Sequence, residues 1–519
     1  MKSIENHHQQ KNQFPIFNTY LLIVLILFFI PSVSCDSVGK QKFAGQESIT
    51  GEDLLHHVRF LASDEMKGRE TFTSEQLVAA RYIVNEFEKY KLKPFGETQS
   101  YYQNFGLKYA EVGSPNKLEI NGKIYREGKD FISAALGKAN IESQIAFVGY
   151  GITTPEYDSY ADVDVEGKIV MLFQGKIKRK GKVWGFAPLH EVRVLNAVKH
   201  GAVGMIFVRG TSPKDHKMPI PQEGPVLERF HQIAPLAQKL KVGDFGNEDL
   251  EKITSFPLVY MNLNAADELF KNKDKTIEEI KKKIDNTRSP NSFPMAQTAK
   301  IQTNVSHRVR QTMNVIGIIE GRDSSLKKEA VLIGAHYDHI GVIKEGEKVY
   351  NGADDNASGT AALLEIAQAF AKSQRKPKRS LLFVAFTGEE KGVLGSGYYI
   401  SHPVIPLSQT TAVLNMDMIG RNDPNSIQAV TEEKSRLKTI SQKISQKVGI
   451  KLEEPTASVN SSTDHFPFLE KGIPVIWYFD GGGDFAHSTS DTWDKLSPEK
   501  MEKVARLCFL TAYRLADQE

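Results

Sequence analysis

Cysteine is nearly missing from this 519-residue chain, which carries only Cys35 and Cys508. Two cysteines exclude a disulfide-built scaffold and a cysteine-based metal cluster. A surplus of charge of one sign is missing too, with 66 basic against 63 acidic side chains and a formal net charge of +3. Nucleic acid is therefore not an expected partner. The conspicuous hydrophobic run, Tyr20 to Ile30, is much shorter than the ~20 residues a membrane span needs. No internal repeat or low-complexity tract appears. These absences exclude a disordered tail protein, a collagen-like repeat and a polytopic membrane protein. What remains is an ordinary globular composition, 40% hydrophobic and 25% charged. At ~100–200 residues per domain, the length predicts two or three domains.

The Tyr20–Ile30 run follows a polar stretch with Lys2 and Lys11 and precedes the small residues Ser32, Val33 and Ser34. This is the pattern of a secretory signal peptide, residues 1–35, and it is set aside from the fold. Cys35 stands where a bacterial lipoprotein is cleaved and acylated, although Ser32 occupies the position where Leu is commonest. The expectation is an exported protein, periplasmic or on the cell surface, reaching the membrane only through its signal or a lipid on Cys35.

Thr73 to Leu92 reads as a helix, with capping-box spacing at Thr73 and Gln76 and apolar residues Leu77, Ala80, Val84 and Phe87 at helical intervals. A loop-rich stretch is expected next. Residues 115–298 then change texture, with short apolar strands at 145–148, 168–173 and 205–208 and one helix at about 189–200. Lys176 to Lys182 reads as a basic hairpin tip, and Ala265 to Asn286 as a solvated helix and linker. From about 299 onward, apolar strands at 331–333, 381–386, 412–414 and 474–478 alternate with amphipathic helices, one carrying Leu363, Leu364, Ala367, Phe370 and Ala371. That alternation predicts an α/β fold whose mostly parallel central sheet is covered by helices on both faces.

Each of these strands is followed by acids or histidine. His336, Asp338 and His339 follow the first, and Glu389 and Glu390 the second. Asp417 follows the third, and a glycine-rich loop ending in His487 follows the fourth. A further cluster, Asn351 to Gly359, holds Asp354 and Asp355 just before a helix. Open α/β sheets bind ligands beyond the carboxyl ends of their strands. A single Asp there could cap a helix and a single Glu could sit in a solvated turn, but four strands delivering such groups to one edge point to a site. Histidine and carboxylate ligands without cysteine suit a hydrolytic zinc centre, and the number of carboxylates suits two metals bridged by one of them.

These segments resemble peptidase family M28, the di-zinc exopeptidases. The residues carrying the likeness are Gly334-Ala-His336-Tyr-Asp338, Gly352-Ala-Asp354-Asp355-Asn356-Ala-Ser-Gly359, Gly388-Glu389-Glu390, Asn415-Met-Asp417 and His487-Ser-Thr-Ser-Asp-Thr. It implies that residues 50–112 and 299–519 form the peptidase domain. It further implies that His336, Asp355 and Asp417 hold one Zn2+, and that Asp355, Glu390 and His487 hold the other. By the same likeness Glu389 is the general base, Asp338 is the carboxylate that orients a ligand histidine, and the Asp355–Asn356 peptide is cis. Asp464-His465 resembles a family segment near the substrate pocket. Within the insert, Asp164 to Leu172 and Asn196 to Phe207 resemble a β-rich protease-associated (PA) domain. The implied activity is that of an aminopeptidase acting on peptides through a metal-bound hydroxide. A carboxypeptidase or another amide-processing enzyme of the family is the alternative, with Arg421 a candidate for binding a substrate carboxylate. A non-catalytic receptor would have lost metal ligands, and none is lost here.

Overall fold

Strands without polar alternation have no face to present to water, and the structure sets four of them side by side. The computed structural model describes residues 45–518. It leaves out 96–98, 175–177, 180–181, 184–189, 210–222, 225–229, 231–232, 235–236, 239–240, 242, 271–275, 288, 344–347 and 460–462. The signal segment and Cys35 lie outside the described residues.

Strands Ser380–Phe386, Ala330–His336, Thr410–Met416 and Val475–Phe479 are neighbours in that order, and all three pairings are parallel. Every residue of the first two is buried. Antiparallel strands flank them, Val305–Ile319 on one side and Ser426–Val430 on the other. Helices Gly359–Lys372 and Pro498–Asp517 pack on this sheet and on each other. The helical stripe is buried at Leu363, Leu364, Ala367 and Phe370, whereas Ala371, near the helix end, is exposed. Parallel strands put all four carboxyl ends on one edge, and that edge carries the acids and histidines.

Helix Ser74–Lys89 begins where the spacing placed it, with the Thr73 side chain accepting from the Gln76 amide. The capping box is not completed. Gln76 instead turns its side chain inward, where Nε2 donates to the hydroxyls of Tyr337, Thr312 and Thr387. The stretch expected to be rich in loops contains an 11-residue strand, Tyr102–Val112. It pairs antiparallel with Val305–Ile319 along its whole length, from Tyr102 opposite Val315 to Val112 opposite Val305. Its period-2 pattern is local and legible, with Phe105, Leu107 and Tyr109 buried and Asn104, Gly106 and Lys108 exposed between them.

The insert builds a second sheet from strands between Lys117 and Thr303. Its central strand Ile169–Phe173 is buried on both sides. Ile169, Met171 and Phe173 join one core, and Val170 and Leu172 join another. A helix covers each face. His190–Lys199 supplies Val194, Leu195, Ala197 and Val198. Ile277–Thr287 supplies Ile277, Ile280 and Ile284. The segment expected as a solvated helix and linker is thus two helices, Leu263–Asp267 and Ile277–Thr287, and the second closes the insert's core. Lys282 and Lys283 stay on its outer side, where Lys282 pairs with Glu278. The expected boundary at 298 falls inside strand Phe293–Thr303, and the chain passes to the other sheet at Asn304. Lys178–Arg179 and Lys182–Val183 pair antiparallel, as a hairpin requires.

Core position and surface position should separate cleanly in stability. Leu332, fully buried in the central sheet, should lose about 2–5 kcal/mol as Leu332→Ala. Val309→Thr, at a position 64% exposed, should stay within about 0.5 kcal/mol. Urea denaturation of both variants checks the contrast.

Candidate metal centre

The carboxyl ends of the parallel strands deliver the predicted residues to one place. His336 ends its strand, and its Nε2 lies 3.2 Å from Asp417 Oδ1 and 3.4 Å from Asp355 Oδ1. The other Asp355 oxygen lies 3.2 Å from His487 Nε2, which in turn is 3.0 Å from Glu390 Oε2. Asp355 therefore faces two histidine–carboxylate groups, one oxygen to each. Its peptide bond to Asn356 is cis. His487 is half-exposed, whereas the side chains of His336, Asp355, Glu390 and Asp417 are buried or nearly so.

Neighbouring groups hold each acid in place. His336 Nδ1 is 3.2 Å from the Asp338 carbonyl, so an Nδ1–H donated there makes Nε2 the nitrogen that faces the carboxylates. The Asp338 carboxylate is farther from that ring, at 3.8 Å. It accepts instead from the Thr71 hydroxyl at 2.7 Å and from the Glu389 amide at 3.3 Å. Asp417 accepts from Thr463. The Asp491 carboxylate takes the amides of both Asp354 and Asp355, clamping the backbone that carries the central carboxylate. Asp354 caps no helix; it accepts from the Gly420 amide. Asp464 is fully buried, and burial pushes its carboxyl up to about 7. His465 binds the Val459 carbonyl, and burial brings it down to about 4.

Arg69 had no signal in the sequence. It lies in a loop where Lys67, Gly68, Arg69 and Phe72 all have positive φ, and its guanidinium is wholly buried. Nε donates to the Tyr337 carbonyl, Nη1 to those of Leu61 and Asn351, and Nη2 to that of Gly352. Tyr337 sits between His336 and Asp338, and Gly352 sits just before Asp354. One side chain thus pins two of the acid-bearing segments. Burial lowers it to about 10, while Asp338, Asp355, Asp491 and Glu390 oppose that shift, so it stays charged at neutral pH. Thr71 likewise has no signal in the sequence, and His339 shows there only as one of the groups after the first strand. Asp491, inside the His487–Thr492 motif, could have been found there.

The adjacent glutamates are driven apart in acidity. Burial holds Glu389 well above the carboxylate range, with Glu390, Asp417 and Asp464 adding to the rise. Burial also acts on Glu390, but hydrogen bonds from His339 and His487 outweigh it and depress that group. Such a split marks different chemical tasks. His487 is raised to about 11 by its bonds to Asp355 and Glu390.

The donor set fits two zinc ions. Bonds of about 2.0–2.2 Å in a tetrahedron imply ligand-to-ligand edges of about 3.3 Å. The observed separations of 3.0 to 3.4 Å around Asp355 match that edge. Among the described residues, His336, Asp355 and Asp417 form one compact group of metal-ligand type, and His339, Asp355 and Glu390 form another.

Arg421 stands apart from this chemistry. Its guanidinium lies 3.9 Å from the centre of the Phe485 ring, donates to the Ser490 carbonyl and lies 3.8 Å from Asp491.

Residues 314–512 match the model of peptidase family M28. The chain is 22% identical over 431 residues to the aminopeptidase YwaD of Bacillus subtilis, covering 80% of this chain and 76% of that protein. It is 28% identical over 294 residues to a probable leucine aminopeptidase of Arthroderma benhamiae, covering 55% and 76%. The fold is similar to that of an aminopeptidase from Aneurinibacillus sp. strain AM-1, with TM-score 0.62 and 21% identity over 92% of this chain and 96% of that one.

Removing the Arg69 clamp should destabilise the protein strongly. Arg69→Met leaves four main-chain carbonyls without this donor. At about 1–3 kcal/mol for each buried group left unpaired, the loss should exceed about 3 kcal/mol. Arg69→Lys, whose single nitrogen cannot span three segments, should recover only part of it. Chemical denaturation of the two variants gives the measurement.

Proposed function

From its membership of peptidase family M28, we propose that this chain is a di-zinc exopeptidase that removes N-terminal residues from peptides. The observation that supports the reading most is Asp355, a buried carboxylate with one oxygen toward His336 and the other toward His487. In this reading His336, Asp417 and Asp355 hold one zinc, and Asp355, Glu390 and His487 hold the other. Two zinc ions there supply an activated water and a clamp for the oxyanion of the scissile carbonyl.

The protein's own groups do the rest. Glu389, whose burial favours its holding a proton, accepts one from the attacking water and returns it to the leaving amine. Asp338 fixes the Glu389 backbone through its amide and fixes His336 through its carbonyl, and Thr71 holds Asp338 in turn. A carboxypeptidase would need a cation free to receive the terminal carboxylate. Arg421, the candidate for that task, is engaged by Phe485, Ser490 and Asp491. The named relatives are aminopeptidases, in keeping with this choice.

The insert is read as a protease-associated domain. The chain is read as exported on its N-terminal pattern, with Cys35 the residue that would carry a lipid. No helix among the described residues is long and apolar enough to cross a membrane.

Direction of attack is tested with peptides that have free or acetylated N-termini, the products being identified by mass. Shortening from the free N-terminus is expected, with blocked peptides left intact; loss of C-terminal residues would sink the aminopeptidase reading.

The two glutamates should also separate. Glu389→Gln should keep both metals and lose about 10²–10⁴-fold in kcat. Glu390→Gln should lose one metal by elemental analysis and regain part of its activity in excess zinc.

A further inference from the structure

Glu390 is approached by histidine from two sides. His487 Nε2 reaches Oε2 at 3.0 Å from a side chain 56% exposed. His339 Nδ1 reaches Oε1 at 2.8 Å from a side chain with no exposure. Both histidines, with Asp355 and Glu390, could complete the second metal position, yet one is enough.

We infer that His339 is a positioning residue, whose Nδ1–H donates to Glu390 Oε1 and so turns Oε2 toward Asp355 and His487 to receive the second zinc. This rests on the di-zinc reading above. Three observations favour it over ligation by His339 itself. First, distances differ: His487 Nε2 lies 3.0 and 3.2 Å from the two carboxylate oxygens, close to the edges of a tetrahedral site. His339 Nδ1 lies 2.8 and 3.9 Å from its two and is centred on Glu390 alone. Second, the ring is packed closely against the Gly352 backbone. A Cβ on Gly352 would fall 2.5 Å from its Cγ and Cδ2, and Arg69 pins the Gly352 carbonyl. Third, His339 Nε2 is buried without a hydrogen-bond partner. Ligation through Nδ1 would put an N–H on this partnerless Nε2, whereas donation from Nδ1 leaves only a lone pair there. Partners that orient a ligand in this way commonly contribute 10–100-fold to metal affinity.

The inference separates Nδ1 from Nε2, and amide side chains can test that. An Asn amide nitrogen falls near the Nδ1 position, whereas that of Gln falls near Nε2. Zinc binding to the full chain is measured by competition with a chelating dye, giving a constant for each site. His339→Leu should leave the first site unchanged, which also reports an intact fold, and weaken the second by about 10–100-fold. His339→Asn should return the second site to within a few-fold of wild type, and His339→Gln should not. If His339→Leu perturbs both sites, the Asn and Gln pair still decides, since both are polar and differ in where the donor sits. An unchanged second site in His339→Leu, or equal weakness in the Asn and Gln variants, would overturn the inference. Failure of the di-zinc reading looks different, because wild type itself would then take up fewer than two zinc ions.

Discussion

Like charges crowded into a dry site must be separated, protonated or neutralised, and this chain gathers carboxylates at the carboxyl edge of its sheet. Asp338, Asp354, Asp355, Asp417, Asp464 and Asp491 are all buried there, with Glu389 and Glu390 beside them. Burial penalises each charge, and the neighbours add to the penalty. Burial raises the carboxyls of Asp338, Asp354, Glu389, Asp464 and Asp491. Two zinc ions between the carboxylates would remove the conflict, with His336 and His487 the proposed histidine ligands. The cluster and the metals are in this sense one design: neither makes physical sense alone.

A site under such repulsion must be held by other means, and the means come from distant parts of the chain. Arg69 and Thr71 reach in from a loop near the start of the domain, Thr463 from before a short helix, and Asp491 from beyond the glycine-rich loop. Each supplies a hydrogen bond to an acid or to the backbone carrying one. Polar groups buried with full partners make a site rigid, whereas one unpaired acid would destabilise it. The Arg69 guanidinium has the added role of a fixed positive charge beside Asp338, Asp355, Asp491 and Glu390.

The insert leaves this arrangement undisturbed because of where it enters. The chain leaves the catalytic sheet along Tyr102–Val112 and returns along Val305–Ile319, and these two strands pair throughout. At the junction the Gly113 amide bonds the Asn304 carbonyl. An insertion whose ends meet in one ladder imposes little on the sheet it interrupts. Its own sheet has a core on each face, and one short strand, Glu223–Gly224, pairs with Tyr102–Val112 of the other sheet.

Local chemistry was legible in the sequence wherever the pattern was local. Continuous apolar runs announced buried parallel strands, and the acids after them announced the site, because a parallel sheet must bring its carboxyl ends together. The five proposed metal ligands and the proposed base Glu389 could be named from these short segments. What required the tertiary structure were contacts between residues far apart. Gln76 looked like half of a capping box, but its side chain found buried hydroxyls that sequence spacing cannot reveal. The alternation of Tyr102–Val112 could have marked a strand, but its partner lies some 200 residues away in the chain and could not be read. Arg69 looked like any solvated cation, since only the meeting of Leu61, Tyr337, Asn351 and Gly352 creates a buried cavity lined with carbonyls for it. Residue identity and spacing fixed which groups stand at each strand end. The fold decided which donor reaches each of them, because hydrogen bonds depend on distance in space and not along the chain.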